Sequence, residues 1–192
     1  LSTGEIGLAD KLREGKRGGR VMAGQQVRVL ELPADAGAGH GVFETLHGLA
    51  SGQALADHLK TIAGQHYGHP LREFLGRLVR EPWQDRVRAF IDSFVSAAVS
   101  SGADGQVRRA AQRFAVIAAA GEMAQRWSIV PWPEGEATTA ARRLFDEWLS
   151  ARGGSEPAEI EAGLVAVRHF LEVHGASRFA PWLDPNRAVH NR

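Results

Sequence analysis

The chain has 192 residues, 44% of them hydrophobic, with 23 Lys and Arg against 22 Asp and Glu and no cysteine. That length and apolar content suit one domain or a little more, while the balanced charge removes any argument from net charge for a nucleic-acid partner. The lack of cysteine excludes disulfides and thiolate zinc sites and favours a cytoplasmic setting; no apolar run nears the roughly 20 residues of a membrane span, so no membrane partner is expected.

In chain order, LSTGE at 1–5 reads as the tail of a strand followed by a turn. Residues 6–14 read as a short amphipathic helix with Ile6, Leu8, Ala9 and Leu12 as its apolar members. GKRGGRVMAG at 15–24 is a loop with Lys16, Arg17 and Arg20 among four glycines. It is either a surface loop or a phosphate-facing one, since glycines let the backbone approach an anion and arginine grips phosphate in a fork. QVRVLEL at 26–32 alternates and is the best strand candidate, ended by Pro33. ADAGAGHG at 34–41 reads as a structural turn: no Gly-Lys-Ser/Thr follows it, and it lacks the G-x-G-x-x-G spacing.

From Val42 onward the pattern is helical. Helices are predicted over 42–49, 52–67, 70–79, 82–100, 105–127, 134–151 and 157–174. The clearest is 105–127, whose stripe is Val107, Ala110, Ala111, Phe114, Ile117, Ala118, Gly121 and Ala124. Asp104 stands where an N-cap belongs, and the alanines with Gly121 keep the face thin enough for close helix packing. Gly153 and Gly154 are expected to stop the sixth of these helices and Gly175 the seventh. The segment after Gly175 is expected to be extended or looped, with a short strand at 177–179. The chain opens without a methionine and closes on RAVHNR, so it is expected to be part of something longer.

Few residues promise chemistry. His66 and His69 are three apart, but Pro70 adjoins them and no third ligand is spaced for zinc, so no metal site is expected. No serine sits in a G-x-S-x-G elbow, and Glu134 with Glu136 is explained by a helix start that favours acids. Arginine remains. Arg17 and Arg20 lie in the glycine loop, Arg28 on the strand after it, and Arg108 and Arg109 near a helix N-terminus, where cations are disfavoured by the dipole unless an anion joins them. The pattern suits contact with phosphate, from either nucleic acid or a nucleoside triphosphate.

Four stretches together resemble one family: LSTGEIGLADKL, the block GKRGGRVMAGQQVRVLELPADAGAGHGVFETLHG, VRRAAQRFAVIAAAGEMA, and PWPEGEA with FDEWL. It is the bacterial domain-of-unknown-function family nine hundred and twenty-seven, primase-helicases carried by mobile genetic elements. The resemblance covers nearly the whole chain and the C-terminal half of the family's domain. It implies an AAA+ ATPase of the MCM-like helicase kind whose Walker A and Walker B segments lie upstream of Leu1. Ser2 or Thr3 would then be the sensor-1 polar residue, although the family type usually has asparagine there. Arg20, or else Arg28, would be the arginine finger, and Arg108 and Arg109 would be sensor 2 on a lid helix.

The expected fold is mainly α: a helical lid bundle with a small β portion left from the edge of an α/β ATPase core. Residues 1–41 would close the ATPase core and 42–155 would form the lid. Residues 156–192 would add a C-terminal helix that could begin a winged-helix module. The resemblance implies ATP and Mg as cofactors of the full-length protein, with none bound by this chain alone, and DNA and a homo-oligomeric ring as partners. A helical nucleic-acid-binding or oligomerisation module without a nucleotide role is the alternative.

Overall fold

The computed structural model describes residues 6, 7, 11, 28–155 and 158–178. Among these the chain is mainly helical. The helices are α1 (Gly52–Gln65), α2 (His69–Leu78), α3 (Gln84–Ala98), α4 (Gly105–Arg126), α5 (Glu136–Arg152) and α6 (Ala158–Arg178), and no strand occurs among the described residues.

Local chemistry explains the boundaries. Ser51 caps α1, its hydroxyl accepting from the Ala54 N–H at 3.1 Å. Pro70 stands in the first turn of α2, where its missing N–H costs nothing. The Asp104 carboxylate accepts from the Gln106 N–H at 3.1 Å and starts α4. Gly153 ends α5 at φ 94°, a left-handed conformation that glycine adopts without strain.

Helices α3, α4 and α5 make the core. Phe94, Val95 and Val99 from α3 and its end meet Val107, Ala110, Ala111, Phe114, Ala115 and Ala118 of α4. From the other side come Ala141, Phe145 and Trp148 of α5. Phe145 packs edge-on to Phe114 at 5.8 Å between ring centres and stacks with Trp148 at 6.0 Å. Small side chains along α4 let both neighbours approach. At Gly121 a Cβ would stand 2.4 Å from the Ala137 Cβ, so α4 and α5 touch there almost backbone to backbone. The other end of this antiparallel pair is tied by Arg152, whose guanidinium meets Asp104 Oδ2 at 2.8 Å while the Asp104 N–H donates to the Ser155 carbonyl at 3.0 Å.

A second aromatic knot joins α2 to the bundle. Trp127 receives Phe74 at 5.1 Å and Trp83 at 5.2 Å, both edge-on. Such pairs add roughly 0.5–1.5 kcal/mol each beyond their area. The segment before α1 is anchored by polar contacts: Arg113 donates to the Arg28 carbonyl at 2.8 Å, Arg143 pairs with Glu44, and Leu30 packs on the core.

Several sequence expectations are corrected. The strand at 26–32 does not appear in its described part: residues 28–32 form a turn, a bend and irregular chain, with no ladder to another described segment. The small β portion is therefore absent from the described residues. Residues 42–49 are irregular rather than helical, since His47 (φ 49°) and Gly48 (φ 83°) turn into the left-handed region. Ile117 points outward, 64% exposed, and Ala115 takes the inward place. Helix α6 continues through Gly175 to Arg178, so Gly175 is no cap and 177–178 are not strand. The loop at 34–41 is a turn as read: Ala36 N–H donates to the Gly41 carbonyl at 2.8 Å, and Gly37, Gly39 and Gly41 all take positive φ. In the expected helix at 6–14, Lys11 is helical, its N–H donating to the Gly7 carbonyl at 3.0 Å. Among the described residues, no helix is long and apolar enough to cross a membrane.

Candidate functional site

Helix α4 alternates in pairs. Ala110–Ala111, Phe114–Ala115 and Ala118–Ala119 are buried, while Arg108–Arg109, Gln112–Arg113 and Val116–Ile117 are exposed. A 3.6-residue period with pairs of small residues turned inward forces this split. The outward face thus carries Arg108, Arg109 and Arg113 within two turns, with Arg109 and Arg113 four apart and therefore neighbours.

No carboxylate answers these cations on their own helix. The single acid of α4, Glu122, is turned to the start of α5. It accepts from the Gly135 N–H (3.0 Å), the Thr138 N–H (2.9 Å) and the Thr138 hydroxyl (2.7 Å). Gly135 has no side chain with which to cap α5, so Glu122 caps it from across the interface. Burial pushes the Glu122 carboxyl up, but the hydrogen bonds from the Thr138 side chain, the Thr138 N–H and the Gly135 N–H together outweigh it. The group is held below the usual carboxylate range. Asp104, the nearest acid to Arg108, is engaged with Arg152 and the Gln106 N–H. Arg108 and Arg109 make no ion pair with any described residue.

Of the other candidates, Arg28 is exposed and reaches α4 through its carbonyl, which Arg113 holds one turn from Arg109. The structure therefore brings Arg28 beside the Arg109–Arg113 edge. Ser2, Thr3, Arg17 and Arg20 lie outside the described residues. No group of three or more His, Cys, Asp or Glu suited to a metal ion occurs among the described residues. The α4 face offers guanidinium forks, an amide and two aliphatic side chains, a set that binds anions rather than making or breaking bonds.

Two residues escaped the sequence reading. Arg113 is legible in the sequence as the i+4 partner of Arg109. Glu122 was not visible, because its partners lie 13 and 16 residues away across a helix interface. No family model, no curated protein and no solved structure matches this chain.

Proposed function

We propose that this chain is the C-terminal part of an ATP-dependent DNA helicase of the primase-helicase type, working as a ring. In it, residues 42–155, which hold α1–α5, form the lid beside the ATPase core, and Arg108 and Arg109 contact the nucleotide phosphates. Arg20 or Arg28 would reach the neighbouring subunit's nucleotide. The observation that carries this proposal is a pair of adjacent arginines, exposed and without an ion-pair partner among the described residues, at the fourth and fifth positions of a helix packed on both sides. The positive end of the helix dipole disfavours them there, and a bound phosphate would reverse the sign of that effect.

The test is made in the full-length protein with nucleotide binding and turnover measured separately. Arg20→Ala is expected to keep ATP binding and abolish turnover, while the double change Arg108→Ala and Arg109→Ala is expected to weaken ATP binding roughly tenfold or more. Unchanged binding and turnover in both variants would remove the nucleotide role. The isolated 192-residue chain, which contains no G-x-x-x-x-G-K-[ST] loop, is expected to hydrolyse no ATP.

One observation favours a second function: the outward face of α4 joins Arg113 to Arg108 and Arg109 with no acid among them. That face could contact DNA phosphates directly, with no nucleotide involved. In that case replacing the three arginines lowers DNA affinity and flattens its salt dependence, and leaves ATP binding untouched.

A further inference from the structure

At the other end of α4 lies a cleft of about 380 Å³, with Trp83, Val87, Phe90, Ala119 and Met123 among its lining residues and four charged side chains around them. It opens between the first half of α3 and the last turns of α4, with the loop before α5 at one edge. Arg109 and Met123 are 14 positions apart, roughly 20 Å along the helix, so the cleft is separate from the basic face described above. Its volume falls in the range of small-molecule sites rather than of grooves for a whole helix.

The lining divides by chemistry. Val87, Phe90, Ala119 and Met123 supply an apolar floor. Met123 is unbranched and adapts to the shape placed against it. The charged residues are Arg86, Arg126, Glu122 and Glu134. They do not cancel. Both Glu122 oxygens are already committed to the N–H and O–H donors that start α5. Arg126 has no ion pair among the described residues, and Arg86 rests on the Trp83 ring at 4.8 Å, a contact it can keep while its N–H edge points elsewhere. Two guanidinium groups therefore keep N–H donors for a ligand, while the Glu134 carboxylate lies at the exposed rim. The Trp83 indole N–H is also buried without an acceptor among the described residues.

We propose that this cleft binds a small anionic amphiphile, with an apolar or aromatic body on the Val87–Phe90–Ala119–Met123 floor and a carboxylate- or phosphate-type head at Arg86 and Arg126. The proposal stands apart from the helicase function, since it uses neither Arg108 nor Arg109. The decisive experiment titrates the ¹⁵N-labelled chain with three naphthalene probes of one body and different head: 1-naphthylacetate, 1-naphthylmethanol and 1-naphthylmethylamine. Amide shifts at Val87, Phe90, Met123 and Arg126 are followed. 1-Naphthylacetate is expected to bind roughly tenfold more tightly than the alcohol, and the amine weakest. Arg126→Gln should abolish the preference for the acetate and leave the alcohol unchanged, which a general loss of folding would not do. Equal affinities for all three probes, or shifts that miss these residues, would overturn the proposal. So would an unaltered acetate preference in both Arg126→Gln and Arg86→Gln.

Discussion

Helix α4 and helix α6 are nearly equal in length and both rich in apolar residues, though α6 gathers them less sharply on one face, and they end in opposite environments. Val107 and Phe114 of α4 are 1% and 2% exposed, whereas Leu164 and Val167 of α6 are 61% and 57% exposed. The stripe of α1 is intermediate, with Leu55 buried and Leu59 and Ile62 exposed. Amphipathic period tells which face of a helix is apolar; it does not tell whether anything covers that face. What separates the two helices is the size of the residues along the stripe. Helix α4 presents alanines and Gly121, which admit two neighbours at close range, and those neighbours bring Phe94, Phe145 and Trp148 to fill the space. In α6 the described stripe is Leu, Val and Phe, broad and unfilled among the described residues.

The contrast predicts a steep difference in stability effects. Phe145→Ala removes a fully buried ring between Phe114 and Trp148 and is expected to cost about 3–5 kcal/mol in denaturant unfolding. Leu171→Ala on α6 is expected to stay within about 0.5 kcal/mol in the same measurement. A comparable loss at both positions would mean that α6 belongs to the same packed unit as α4.

Gly121→Ala should fall between these. The new methyl meets the Ala137 Cβ at a distance real Cβ atoms do not reach, so α4 and α5 must separate. Overpacking outweighs the gain in helix propensity, for a net loss of about 1–2 kcal/mol. Adding Ala137→Gly should restore most of it. No recovery in the double variant would show that the two helices do not meet at this point.

An effect smaller than that of Gly121→Ala is expected at Glu122. Its folded carboxyl is held below the usual range, so its contribution to stability is fully present above the unfolded value of about 4.3 and is lost as pH falls through the lower, folded value. Glu122→Gln should cost about 1 kcal/mol at neutral pH, as loss of a helix cap does, and should flatten the acid limb of the stability curve below about pH 4. An unchanged acid limb would place the cap of α5 elsewhere.

How much was legible follows from the range over which each signal acts. Helices at 52–65, 69–78, 84–98, 105–126, 136–152 and 158–178 lie within a few residues of where period, Asp104, Pro70 and the Gly153–Gly154 pair put them, because these signals are local. At 28–32, the described part of the expected strand, alternation is not enough, because it describes a chain's two faces while a strand also needs a partner for its N–H and C=O groups. The expected helix at 42–49 does not form, as His47 takes a left-handed φ that its sequence neighbours do not require. At the candidate site, Arg108 and Arg109 were legible from their place near an N-terminus, and their exposure agrees with it. Arg28 was placed on a strand, yet it reaches the same helix face through its carbonyl, held by Arg113 from 85 residues away.

The sequence by itself determined the helices, the thin face of α4 and the two arginines at its start, because capping, periodicity and side-chain size act within a few residues of the chain. Tertiary structure alone decided which apolar faces are covered, that Ile117 faces out while Ala115 faces in, and that Glu122 caps α5 instead of neutralising Arg126. Each of those outcomes depends on groups far apart in sequence coming within a hydrogen bond or a van der Waals contact. At such range the energy comes from packing and desolvation, and no local pattern encodes it.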